Sequence, residues 1–185
     1  MPEPDSRSSL KSPRPVAAAQ ELAVDIVREG GDWSGLDPIE PLIEAVAREL
    51  AATRDLDFGI AEASIALATD AQVRDLNRSY RGKDKPTNVL SFPSAMPVVA
   101  NEPTYLGDVI LAAETVRAEA AELGIPLAHH FQHLCLHGLM HLLGFDHIQA
   151  SDAREMEKLE TAILARLGIP DPYTGDIDDT DDGDA

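Results

Sequence analysis

At 185 residues, with 44% apolar but only 4% aromatic side chains, the chain is long enough for one domain whose core is built from Leu, Ile, Val and Ala. It holds no run near the roughly 20 apolar residues that a membrane-spanning helix needs. Its single cysteine, Cys135, excludes an internal disulfide and fits a reducing compartment. The net charge of −18 argues against strong non-specific binding to nucleic acid, so such a substrate would need a local positive patch.

Residues 1–19 are polar, contain no apolar segment of the signal-peptide kind, and read as a disordered leader, so export is not expected. Alternation around Leu22, Val24 and Ile26 predicts a strand over 21–28. After a turn at 32–35, Asp37 and Pro38 are expected to open a helix carrying Ile39, Leu42, Ile43, Val46 and Leu50 at helical spacing. A second strand is expected over 62–69, followed by a short helix capped by Asp70. A long polar turn from Tyr80 runs into a strand over 87–92, and another strand covers 105–111. Helices are expected over 112–123 and 126–143, stopped by Gly124 and Gly144. Asp152 and Glu155 suggest a capping box for a last helix reaching about Leu167. Residues 174–185 read as an acidic, disordered tail, and removing Pro170 to Ala185 is expected to leave the fold intact. The whole predicts a single α+β domain over 20–173, a mostly four-stranded mixed sheet packed with about five helices, its strand order not legible.

Positive charge gathers in one place. Arg74, Arg78, Arg81, Lys83 and Lys85 stand against only Asp75 and Asp84. Arg81 is a candidate phosphate clamp, since a guanidinium can grip two oxygens at once. Lys83 adds charge beside it, and Asn88 and Ser91, near the start of the following strand, are candidates to bind backbone or substrate.

The segment HGLMHLLGFDH places His137 and His141 four residues apart, on one face of a helix, where both imidazoles can grip one ion. Gly144 lets the chain leave the helix through a left-handed conformation, so that His147 can fold back as a third ligand. Three imidazoles leave a position open for water, the pattern of a catalytic zinc, although Ni²⁺ or another divalent transition metal fits the same donors. Asp146 could orient a ligand imidazole by accepting its ring N–H, and His133, one turn before His137, is a further candidate for the surroundings of the metal. Cys135 is expected to face away. Metzincin-type peptidases share the histidine spacing but carry Glu after the first His as general base, where this chain has Gly138.

These blocks, Leu76-Asn77, Tyr80 to Pro93 (YRGKDKPTNVLSFP), Leu106 to Val109, His137 to His147, and the last helix with Glu155 to Glu157 leading to Tyr173, resemble the YbeY family of bacterial rRNA maturation factors. The resemblance covers roughly Ile60 to Tyr173. It implies an α+β fold with a metzincin-like three-histidine site at the floor of a cleft faced by an arginine, roles that fall on His137, His141, His147 and Arg81. It also implies a metal-dependent endoribonuclease, with one Zn²⁺ per chain, specific for single strands and acting in 16S rRNA 3′-end maturation and late ribosome quality control. Its partners would then be single-stranded rRNA, the 30S/70S ribosome and associated assembly proteins, in the cytoplasm, with neither membrane nor DNA involved. Hydrolysis by metal-activated water and attack by the RNA 2′-OH both remain open. So do two rivals, a metalloprotease weakened at Gly138 and a non-enzymatic assembly factor with structural zinc.

Overall fold

Every second residue of the strand Ile60–Ala68 faces the interior: Ala61, Ala63, Ile65 and Leu67 are buried. That strand is β2 of the computed structural model, which describes residues 20–54, 56–145 and 150–173. The remaining elements are β1 (Glu21–Arg28), α1 (Glu40–Ala51), α2 (Asp70–Arg81), β3 (Val89–Pro93), β4 (Thr104–Ala112), α3 (Ala113–Leu123), α4 (Leu127–Leu142) and α5 (Ala150–Arg166). The expected α+β class, four-stranded mixed sheet and five helices are therefore found.

The sheet runs in the order β1-β2-β4-β3, with β1, β2 and β4 parallel and β3 antiparallel at one edge. The apolar stripe of α1 (Ile43, Val46, Leu50) and most of α4 pack on one face with Ile65, Leu67, Val109 and Leu111, and α5 adds Met156, Ile163 and Leu164. On the other face Val73 and Leu76 of α2 meet Leu90, Phe92 and Ile110. Helix α4 thus lies in the core and beside β3, the edge strand.

Several boundaries differ from expectation for local reasons. The first helix begins at Glu40, not Pro38: Ile39 is wholly buried, and Pro41 supplies the missing N–H and preset φ of the first turn. Thr69, not Asp70, caps α2, because Thr69 and Gln72 satisfy each other's backbone N–H in a capping box. Asp70 instead accepts from the Thr115 N–H and hydroxyl at 2.9 and 2.8 Å, tying α2 to α3. Helix α5 already runs at Ala150, so Asp152 lies inside its first turn and is no cap. The leader 1–19 and the tail 174–185 lie outside the described residues.

One glycine sets the shape of the edge. Glu62 pairs with Tyr105 but Ala63 with Gly107, so Leu106 is an extra residue that bulges β4. Its carbonyl accepts the Ser94 N–H at 2.8 Å. Gly107 has φ +130°, and a Cβ there would lie 2.1 Å from the Phe92 carbonyl oxygen. Gly107→Ala is therefore expected to destabilise the protein by about 2 kcal/mol or more. Urea unfolding checks this, and a change below about 0.5 kcal/mol would contradict the bulge's structural role.

Candidate metal centre

Helix α4 ends in a way that builds half the site. Leu143 is its last cap residue, and Gly144 follows with φ +92°. The Gly144 N–H then donates to the His141 carbonyl and the Phe145 N–H to the Met140 carbonyl, both at 3.1 Å. This is a Schellman motif, and it turns the Phe145 carbonyl back over the last helical turn. There the carbonyl accepts the Nδ1–H of His141 at 2.8 Å.

One turn earlier, His137 Nδ1 lies 2.9 Å from the Glu160 carboxylate of α5. Glu160 is fully buried. Burial by itself raises its pKa, but the hydrogen bond and charge of His137, with the Tyr173 hydroxyl, more than offset this and hold it below the ordinary carboxylate range. An ionised carboxylate and a peptide carbonyl only accept, so both imidazoles carry their proton on Nδ1. The two Nε2 atoms face each other at 3.0 Å. Two bare lone pairs at that distance would repel, so the pair needs a proton or a cation between its nitrogens. The span expected for two imidazoles on one tetrahedral zinc is about 3.3 Å, from Zn–N bonds of about 2.0–2.1 Å. The donor chemistry fits a divalent metal.

A second donor set shares His137. His133, His137 and Glu160 each bring a ligand atom within 4.8 Å of the others and could hold a metal. Burial pushes the His133 imidazole down to about 4, so it is neutral at pH 7. Its Nε2 lies 3.4 Å from the Tyr173 hydroxyl, which itself donates to the second oxygen of Glu160. In this cluster both carboxylate oxygens are already hydrogen-bonded within the protein. His147 and Asp146 lie outside the described residues. Cys135 is wholly buried, and burial raises its thiol pKa.

Glu160, Tyr173 and Glu119 were not legible as site residues from the motifs. For Glu160 there was a signal: Met156, Glu160, Ile163 and Leu164 form one stripe of α5, and a carboxylate in an apolar stripe must have a buried partner. Glu119 accepts from Asn88 Nδ2 at 3.0 Å and pairs with the buried His130 at 2.8 Å. It anchors the entry of β3 from behind.

His137 and His141 line a cleft of about 520 Å³ together with Arg81, Asn88, Ser91 and Phe145, among others. Arg81 is the last residue of α2 and is brought to this cleft, as are Asn88 and Ser91. Their donors are already engaged, however: Asn88 Nδ2 with Glu119, and the Ser91 hydroxyl with the Gly138 carbonyl at 3.1 Å. Lys83 is not among the lining residues. The positive patch is smaller than its sequence suggests. Arg74 holds Asp84 at 2.8 Å and Arg78 holds Asp75 at 2.9 Å, whereas Arg81, Lys83 and Lys85 form no ion pair among the described residues. No carboxylate lines the cleft among the described residues.

Comparison with known proteins places the arrangement in context. The model of the family described as Endoribonuclease YbeY matches residues 34–168. A protein of that name from Paramagnetospirillum magneticum is 55% identical over 161 residues, which are 83% of this chain and 95% of that protein. Another, from Rhodopseudomonas palustris, is 45% identical over 177 residues, 94% of this chain and 90% of that protein. A solution structure of a Thermotoga maritima protein is similar at 21% identity and a TM-score of 0.47, covering 88% of this chain and 99% of that one.

Gly138 stands between the two histidines, where α4 presses on the sheet. A Cβ there would lie 2.5 Å from Cγ1 of the buried Val109 and 3.3 Å from the Ser91 hydroxyl. Val109 is β-branched and walled in, so it cannot give way cheaply. Gly138→Ala should lower stability by about 1–3 kcal/mol, and Gly138→Glu should not accumulate as folded protein. Thermal and urea unfolding test both. A well-folded Gly138→Glu variant would show that the helix–sheet contact is not the reason for glycine.

Proposed function

The chain belongs to the YbeY endoribonuclease family, and on that premise we propose that it cleaves single-stranded ribosomal RNA at a zinc centre held by His137, His141 and His147, with Arg81 binding the scissile phosphate. An endoribonuclease is a hydrolase of phosphodiester bonds. The finer assignments, 16S rRNA 3′-end maturation, ribosome quality control and action on the 30S/70S ribosome with assembly proteins, rest on the family resemblance. Among the described residues no helix is long and apolar enough to cross a membrane.

The observation that carries the reading is the chemistry of one cleft: two imidazoles with Nε2 atoms 3.0 Å apart, an arginine in the lining and no carboxylate among the described lining residues. A phosphodiester brings negative charge, which such a lining attracts and an acidic lining would repel. A peptidase of the three-histidine kind needs a carboxylate beside the metal as proton acceptor. Gly138 cannot supply one, and its position against Val109 leaves no room for one.

A divalent metal bound there would supply Lewis-acid polarisation of a phosphoryl oxygen and a lowered pKa for a bound water. The chain's own residues do the rest. Glu160 and the Phe145 carbonyl keep the Nδ1 protons of His137 and His141 in place, so that their Nε2 lone pairs stay directed into the cleft. Arg81 can donate two parallel N–H bonds to non-bridging phosphate oxygens and neutralise the charge that grows there in the transition state. Glu119 holds Asn88 and so the β3 wall opposite the histidines.

Two outcomes are expected. His137→Ala, His141→Ala and His147→Ala should each lose zinc and cleavage together, as elemental analysis and RNA digestion would reveal. Full zinc content in all three would refute the ligand set. Arg81→Ala should keep zinc and fold while the single-turnover rate on a short unstructured RNA falls at least about 100-fold. Arg81→Lys should recover only part of that loss, because an ammonium cannot reproduce the bidentate contact. Equal rates for wild type and both variants would remove Arg81 from the mechanism.

A further inference from the structure

We propose that Tyr173 is a positioning residue of the metal centre, acting through Glu160 on His137, and that the segment following α5 is therefore part of the site. The inference rests on His137 being a metal ligand, as argued above. Composition alone made everything from Pro170 onward look expendable. The contacts separate this segment from the acidic tail.

After α5 ends, Ile169 is buried in the core and anchors the chain. Asp171 then accepts from the Thr161 hydroxyl at 3.1 Å and from the Tyr173 N–H at 2.9 Å, which folds the segment back on α5. Pro170 and Pro172 flank Asp171 and restrict its backbone. The Tyr173 ring stands edge-on to His133, with centroids 5.8 Å apart and planes at 87°. Its hydroxyl donates to one oxygen of Glu160, while the other oxygen receives the Nδ1–H of His137.

Glu160 is fully buried, so each of its oxygens needs a donor from the protein. Tyr173 takes one oxygen and thereby leaves a single orientation in which the other meets His137. Without the phenol, the carboxylate would carry a buried oxygen short of a partner. It would be free to turn toward other donors, and the Nδ1 proton of His137 would lose its fixed acceptor. The imidazole could then move its proton to Nε2, the atom that must present a lone pair to a metal. The whole relay runs from the C-terminal segment through α5 to α4.

The test compares the full chain with Tyr173→Phe, Glu160→Gln, His137→Ala and two truncations, one lacking 174–185 and one lacking 173–185. Zinc affinity is read by competition with a chromophoric chelator. The His137 tautomer is read from imidazole ¹⁵N shifts in the metal-free protein, a signature that a merely structural role would leave unmoved. Removal of 174–185 should leave affinity and tautomer as in the full chain. Tyr173→Phe, which keeps the ring against His133, should weaken zinc about threefold to tenfold and mix the tautomers. Loss of 173–185 should do at least as much, and Glu160→Gln should weaken zinc about 10–100-fold. Unchanged affinity and a pure Nδ1–H tautomer in Tyr173→Phe would overturn the proposal even if His137→Ala loses zinc. Loss of zinc in Glu160→Gln as complete as in His137→Ala would also overturn it, by making Glu160 a ligand. Retention of zinc by His137→Ala would instead bring down the metal assignment on which the proposal depends.

Discussion

Two imidazole Nε2 atoms held 3.0 Å apart form an arrangement that requires a proton or a cation between them. Each ring is tied from behind at Nδ1, one to a buried carboxylate and one to a peptide carbonyl. Those two ties set requirements on distant parts of the chain. The carboxylate requires α5 to lie along α4 with Glu160 facing inward. The carbonyl requires the chain to reverse at Gly144 as a Schellman motif. The fold around α4 can be understood as the means of meeting both.

Helix α4 also has to be core. Phe131, Leu136, Leu139 and Met140 are fully buried, and the histidines emerge only along one narrow line. The close approach at Gly138 lets that line come up against β3, so that the Ser91 hydroxyl bonds the helix backbone rather than a ligand. The same contact separates this site from peptidases of similar histidine spacing. The position that would hold a general base is occupied by the packing of helix on sheet. Arg81 reaches the cleft from the other face of the sheet, because α2 ends there and β3 is short and at the edge.

Much of this was legible in the residues. Periodicity located every strand and helix to within a few positions, since alternation along 21–28 and the apolar stripes of α1 and α4 are strong and local. The failures were equally local. Pro38 was expected to open the first helix, but the helix starts two residues later with Pro41 in its first turn. Thr69 and Asp70 competed for one cap, and the reciprocal bond from Gln72 decided for Thr69. The i,i+4 spacing of His137 and His141 set their two rings side by side on one face of α4, as found. The partners of Glu160, Tyr173 and Glu119 were not legible, because they lie 11 to 31 positions away, and of the three only Glu160 left a local trace, as a carboxylate in an apolar stripe. The cationic patch was overstated for a similar reason: Arg74 and Asp84 are ten positions apart in sequence and bonded in space.

His137 has two faces, and either could meet a metal. Its Nε2 faces His141, which shares the cleft with Arg81, whereas its Nδ1 meets Glu160, and Glu160 and His133 also come close enough to His137 to hold an ion. Only the first position puts a cation where a phosphate gripped by Arg81 could reach it. Diffraction from zinc-loaded crystals at the zinc absorption edge decides between them. A single anomalous peak between the Nε2 atoms of His137 and His141 is the result expected here. A peak among His133, His137 and Glu160 would contradict it and detach the metal from the cleft.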